Sequence, residues 1–260
     1  MAEPRTPRLC VLIDADNIPV KYAHAIFEEI AGLGEASVRR IYGDWSADRL
    51  KGWASIVAPL GLVADQQFAN TTGKNASDIG LVIAAMDFLH SGLFDGFVLV
   101  SSDSDFTRLA ARIREQGLDV WGIGEKKTHA SFRMACKRFI YVENLDREEN
   151  LNESLQVTVK HTVVAQPKTP QVKPEVKSES TVKKEAPSKA VPIIRAAMRA
   201  MDSDDGWYAL SSLGKFITQA NPDFDSRTFG SPKLSDLLRK TGVFEVKLGP
   251  NNHLITRFSG

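Results

Sequence analysis

The run Leu9–Ile13 is wholly apolar and stops at an aspartate, Asp14. An uninterrupted apolar strand must be covered on both faces, which predicts the centre of a parallel sheet with helices on either side. The first 147 residues keep supplying those helices. Pro19 can open one, and Ala23, Ile26, Phe27 and Ile30 follow at helical spacing until Gly32 and Gly34 stop it. A second strand is expected at Val38–Tyr42, then a helix marked by Leu50, Trp53, Ile56 and Val57 that Pro59 and Gly61 close. Leu62–Phe68 reads as a third strand and Asn70–Asn75 as a polar loop. Ala76–His90 carries Ile79, Val82, Ile83, Met86 and Leu89 as one apolar helical stripe. Phe97–Val100 is a strand, a helix runs from about Ser104 to Gln116, and Leu118–Ile123 and Phe139–Val142 are strands around a short helix at Ala130–Cys136. Strand and helix in alternation give an α/β, three-layer domain with a central parallel sheet.

The pattern collapses after Asp146. Lys, Glu, Pro, Ser, Thr and Gln dominate as far as Ser188, too polar to offset the entropy of ordering, so 148–188 is expected to be a disordered linker. Periodicity returns in 189–260. Val191, Ile194, Ala197 and Met198 make one stripe, Leu210, Leu213, Phe216 and Ile217 a second, and Leu234, Leu237 and Leu238 a third. Val243–Leu248 and His253–Phe258 flank a Gly-Pro-Asn-Asn turn as a hairpin. Three helices and a two-stranded wing are the plan of a small winged helix-turn-helix domain.

In an open parallel sheet, ligands bind beyond the carboxyl ends of the strands. Asp14 and Asp103 lie at those ends, on strands expected to be neighbours, with Asp16 and Asp105 two residues further on. Asp78 begins a helix after a glycine-containing loop and can point to the same edge. Carboxylates gathered at one point repel each other unless a cation is present, and an all-oxygen set favours Mg²⁺ or Mn²⁺ over zinc. Such ions activate water and hold a scissile phosphate. Asp14 and Asp103 would hold the principal ion and Asp78 and Asp105 would complete it. Asn17 can orient the nucleophilic water or the Asp14 carboxylate, and Ser102 can donate to a phosphate oxygen. The plain alternative for each aspartate is a helix N-cap, which fits Asp103 and Asp16 taken singly better than three acidic positions at one edge. A phosphoryl-accepting aspartate in VLIDADN is disfavoured, because Asn17-Ile18-Pro19 follows where a hydroxyl residue is needed and Phe97–Ser102 holds no lysine.

VLIDADNIP (11–19), YGDW (42–45), GKNASDIGLVIAAMDFL (73–89), VSSDSDFTRLAARIREQG (100–117) and VWGIGEKKTHASFRMACKRFIYVEN (120–144) together resemble the NYN-domain family, relatives of the PIN-domain nucleases, and most of all its LabA-like bacterial branch. The resemblance implies a PIN-like fold and Mg²⁺- or Mn²⁺-dependent cleavage of RNA. It assigns the acidic positions to Asp14, Asp78, Asp103 and Asp105 and the polar position to Asn17. One departure falls at Ala84, where close relatives are often acidic. Residues from about 189 to 258 resemble the OST-HTH/LOTUS domain, which implies RNA binding, with a family tendency toward structured RNA such as G-quadruplexes, although some relatives bind protein partners.

Net charge, +1, offers no evidence for a polyanionic partner, so RNA contacts must be local. Lys74, Lys126, Lys127 and Arg133 are placed to meet the backbone near the aspartates. Lys215, Arg227, Lys233, Arg239 and Lys240 lie on or near the second and third helices of the last domain. Trp207 and Phe229 could stack on bases but fit a core better. Cys10 and Cys136 are expected to be reduced, buried thiols, and no segment is apolar enough for a signal peptide or membrane span, so a cytoplasmic location is expected. These readings combine into a ribonuclease joined flexibly to an RNA-binding module. The alternative is a non-catalytic RNA-binding or regulatory protein that retains the acidic pocket. The sequence leaves open whether the chain pairs with a second copy.

Overall fold

The computed structural model describes residues 5–66, 76–145, 184–203, 205–249 and 252–259. Lys74, the loop at 70–75 and most of the expected linker lie outside them. The first domain runs β1 (Arg8–Asp14), α1 (Ala23–Ala31), β2 (Glu35–Gly43), α2 (Lys51–Val57), β3 (Val63–Gln66), α3 (Ala76–His90), β4 (Gly96–Val100), α4 (Thr107–Glu115), β5 (Asp119–Gly124), α5 (Ala130–Ala135) and β6 (Arg138–Tyr141). Its six strands stand in the order β3-β2-β1-β4-β5-β6, every pair parallel. The order reverses between β1 and β4, which is the switch point where a crevice opens at the carboxyl edge of such a sheet.

Strand alternation divides the core in two. Leu9, Val11 and Ile13 face α1 and α2, packing with Ile26, Ile30 and Trp53, whose indole nitrogen donates to the Ile18 carbonyl at 2.9 Å. Cys10 and Leu12 face α3 and α4, packing with Leu81, Ala85, Leu109 and Ile113. Burial of each large side chain contributes roughly 1.5–3 kcal/mol. Both thiols are free and buried, and burial pushes each up to about 12. The stripe on α3 differs from expectation. Leu81, Ala85 and Leu89 form its buried line, while Ile79 and Ile83 are 62% and 58% exposed. Strand β2 starts three residues earlier than hydrophobicity suggested, since its first residues alternate with exposed polar ones.

The second domain comprises α6 (Val191–Ala200), β7 (Tyr208–Ala209), α7 (Leu210–Ala220), α8 (Leu234–Thr241), β8 (Phe244–Leu248) and β9 (Leu254–Phe258), with a short 3-10 turn at Pro187–Ala190 before α6. The expected stripes supply its core through Ile194, Ala197, Met198, Leu213, Ile217, Leu237 and Leu238. Its antiparallel sheet has the order β7-β9-β8, one strand more than the expected hairpin.

The two domains, expected to be loosely tethered, are in direct contact. The Phe139 amide on β6 donates to the Pro222 carbonyl at 2.8 Å, and Asn144 donates to the Thr228 hydroxyl at 2.9 Å. Arg227 reaches both carboxylate oxygens of Glu29 on α1 at 2.9 and 3.2 Å while holding Asp225 at 2.6 Å. Asp223 accepts from Tyr141 at 2.8 Å and from Arg133 at 2.5 Å.

Candidate active site

Asp14 ends β1 and is 1% exposed. Its Oδ2 accepts from the Asn17 side-chain amide at 2.7 Å and from the Ser101 hydroxyl at 2.8 Å, and its Oδ1 from the Asp16 amide at 3.2 Å. Burial raises its pKa, and the hydrogen bonds from Asn17 and Ser101 oppose that rise. Of the two roles expected of Asn17, the structure places it at the carboxylate. Ser101 was not singled out from the sequence, although register points to it. Ile13 pairs with Val100, so Asp14 and Ser101 are the next neighbours on adjacent strands and share a face. Gly124 leaves that corner open: a Cβ there would lie 2.5 Å from the Ser101 carbonyl oxygen.

Asp103 follows β4. Its Oδ1 accepts from the Asp105 amide at 2.9 Å, so it caps the short helical turn Ser104–Phe106 as the plain alternative foresaw, and it remains at the same sheet edge. Its own amide donates to the Ser101 hydroxyl at 3.0 Å. Asp78 stands in the first turn of α3, on the sheet face that Asp14 occupies. Asp16, a second residue not chosen from the sequence, ties the loop after β1 to two other elements. It pairs with Arg49 at 2.9 Å and accepts from Ser77 at 3.4 Å.

These carboxylates act on one another. Asp78 has its pKa raised to about 6, first by burial and then by the negative charges of Asp14, Asp103, Asp105 and Asp16. A hard divalent cation would relieve that repulsion, and an all-carboxylate donor set suits Mg²⁺ or Mn²⁺. Among the described residues, no three His, Cys, Asp or Glu side chains stand close enough to form a closed metal-binding group. The donor chemistry therefore fits, with the carboxylates more open than a finished ligand set.

The repulsion has a measurable sign. The folded pKa of about 6 lies above the ordinary value near 4, so the stability that Asp78 allows is full below about pH 4 and lost as pH rises through about 6. In chelator, Asp78→Asn is expected to melt above the parent at pH 7, with the difference closing toward pH 4. A difference that stays constant across that range would show an ordinary carboxylate.

The expected RNA contacts fall into three groups. Ser102 accepts from the Glu125 amide at 2.9 Å, and Lys127 pairs with Glu125 at 2.5 Å. The Lys126 amide donates to Glu143 at 2.9 Å, leaving these residues at the carboxyl edge of β5. Arg133 and Arg227, by contrast, face the other domain through Asp223 and Glu29. In the second domain Lys215 and Lys233 are exposed, Arg239 pairs with Asp236 at 3.6 Å, and Lys240 donates to the Gly230 carbonyl at 2.6 Å. Phe229 is core, as expected.

Residues 8–145, more than half of the chain, match the NYN domain model, and residues 182–256 match the OST-HTH/LOTUS domain model. No match was found among curated proteins. Among solved structures, the chain is similar to a protein of unknown function from Vibrio parahaemolyticus, 18% identical over 54% of this chain and 96% of that one, with a TM-score of 0.45. It is also similar to an uncharacterized protein from Nitrosomonas europaea, 28% identical over 35% of this chain and 91% of that one, with a TM-score of 0.26.

Proposed function

Since the chain belongs to the NYN family of PIN-like nucleases and carries a C-terminal OST-HTH/LOTUS domain, we propose that it is a metal-dependent ribonuclease that hydrolyses RNA phosphodiesters. The observation that supports this reading is the Ser101 hydroxyl bonded to both Asp14 and the Asp103 amide at the switch point of the sheet, with Asp78 feeling the charges of Asp14, Asp103 and Asp105. A pure binding surface gains nothing by gathering negative charge where a polyanion must approach.

Asp14, Asp78, Asp103 and Asp105 would hold Mg²⁺ or Mn²⁺, which when bound lowers the pKa of a water and neutralises the phosphate. The chain's own residues supply the framework. Asn17 and Ser101 hold one Asp14 oxygen, which fixes the carboxylate plane. The Ser101 hydroxyl also accepts from the Asp103 amide, so one side chain sets the spacing of β1 and β4 at the edge. Arg49 pairs with Asp16 and offsets part of the charge that this carboxylate adds beside Asp14 and Asp78. Lys126 and Lys127, two strands away along the same edge, would meet the RNA backbone.

The openness of the carboxylates favours a second reading, in which the chain binds RNA without cutting it. Incubation of the full chain with labelled single-stranded RNA and DNA, in Mn²⁺ or in EDTA, separates the two. Cleavage of RNA in Mn²⁺ alone is expected. Cleavage that persists in EDTA would sink the metal, and RNA bound but intact in Mn²⁺ would establish the second reading.

A further inference from the structure

The outer face of the wing sheet carries an aromatic ring with two cations against it. Tyr208 pairs with Thr256, so Trp207 comes beside Arg257 at the edge of β9. The Arg257 guanidinium carbon lies 4.7 Å from the Trp207 ring centroid, and the Lys247 ammonium lies 3.7 Å from it. Strand alternation puts Glu245, Lys247, Ile255 and Arg257 on this face, opposite the buried Phe244 and Thr256. Glu245 accepts from Arg257 at 2.9 Å and steers it. The turn before β7 holds the indole in place: the Trp207 amide donates to Asp205 at 3.0 Å, and its carbonyl accepts from Ser203 at 3.0 Å.

A half-buried ring held by its backbone, with exposed basic side chains around it, is the combination that takes a single strand. A base stacks on the ring and neighbouring phosphates meet the cations. Three of the five basic residues expected on or near the helices are engaged elsewhere. Arg227 is held by Glu29 and Asp225, Lys240 by the Gly230 carbonyl, and Arg239 is paired with Asp236. We propose that Trp207, Lys247 and Arg257 form a stacking site for single-stranded RNA on the wing. The inference rests on the reading that this domain binds RNA and names where it does so.

The test uses the full chain with Asp103→Asn to keep RNA intact, and anisotropy of a fluorescein-labelled single-stranded oligoadenylate. Trp207→Leu should weaken binding roughly tenfold, about 1.4 kcal/mol, and Trp207→Phe should restore most of it. An abasic oligonucleotide should bind the Trp207→Leu chain and its parent alike, which a merely structural tryptophan would not produce. Should Trp207→Leu disturb the wing, the exposed pair Lys247→Gln and Arg257→Gln still decides, through a flatter dependence of affinity on salt. Unchanged affinity in both variants, with loss on changing Lys215 and Lys233 to Gln, would overturn the wing site and leave RNA binding standing. No binding by the parent would remove that underlying reading and the site with it.

Discussion

Asp14→Asn is expected to slow RNA cleavage by about a thousandfold, roughly 4 kcal/mol of barrier, while making the protein harder to melt. The loss follows from position. Asp14 is the most buried of the four carboxylates and the one whose orientation two side chains enforce. The gain in stability follows from the same burial, which disfavours the charged form of the carboxylate. Asn keeps the shape, removes the charge and gives up the bond from the Asp16 amide, which its nitrogen cannot accept. Asp103→Asn provides the contrast. Asparagine caps a helical turn as well as aspartate does, so cleavage should fall similarly with the melting temperature unchanged. Single-turnover cleavage in Mn²⁺ and thermal melts in chelator measure both effects. Undiminished cleavage in both variants would remove the aspartates from the chemistry.

Arg227→Ala should cost about 2–4 kcal/mol, more than any surface ion pair provides. Its guanidinium is the shared partner of Glu29 and Asp225, and the Asp225 side chain is only 8% exposed. Deleting the arginine takes from Asp225 the cation it faces and leaves Glu29 only Arg138, 3.8 Å away, across the domain boundary. The partial exposure of Arg227 is the reason to expect less than a fully buried pair would lose. Glu29→Gln removes one partner and keeps Asp225 satisfied, so it should cost well under half as much. Thermal unfolding of the two single variants and the double variant gives the coupling directly. A coupling near zero would mean that the contact does not hold the domains together.

Much of this was legible in the residues. The apolar runs that end at Asp14 and before Asp103 carried the sheet, its parallel sense and the adjacency of β1 with β4. Helical spacing in the second domain located seven of its buried core residues, while Val191, Leu210, Phe216 and Leu234 pack only partly against them. Helix α3 misled because it is apolar nearly all round. Ile79 and Ile83 fit a stripe as well as Leu81 and Ala85 do, and only packing against the sheet chooses between them. Ser102 was chosen over Ser101 because composition cannot say which hydroxyl faces a neighbouring strand, whereas register can. Arg133 and Arg227 read as RNA contacts because their partners lie 90 and 198 positions away in sequence, and no local pattern announces such a pairing. The placement of the aspartates came from strand ends, and the choice of RNA as substrate came from family resemblance.

Strand β6 is the last in its sheet, and a bare outer strand is a template on which other chains can grow. The contact at Phe139 answers that hazard chemically. Its amide is satisfied by the carbonyl of Pro222, a residue with no N–H of its own to offer back. The bond is accepted and the ladder stops there. The winged domain is thus also a terminator for the nuclease sheet, and cutting it away would remove a guard against self-association along with an RNA-binding module.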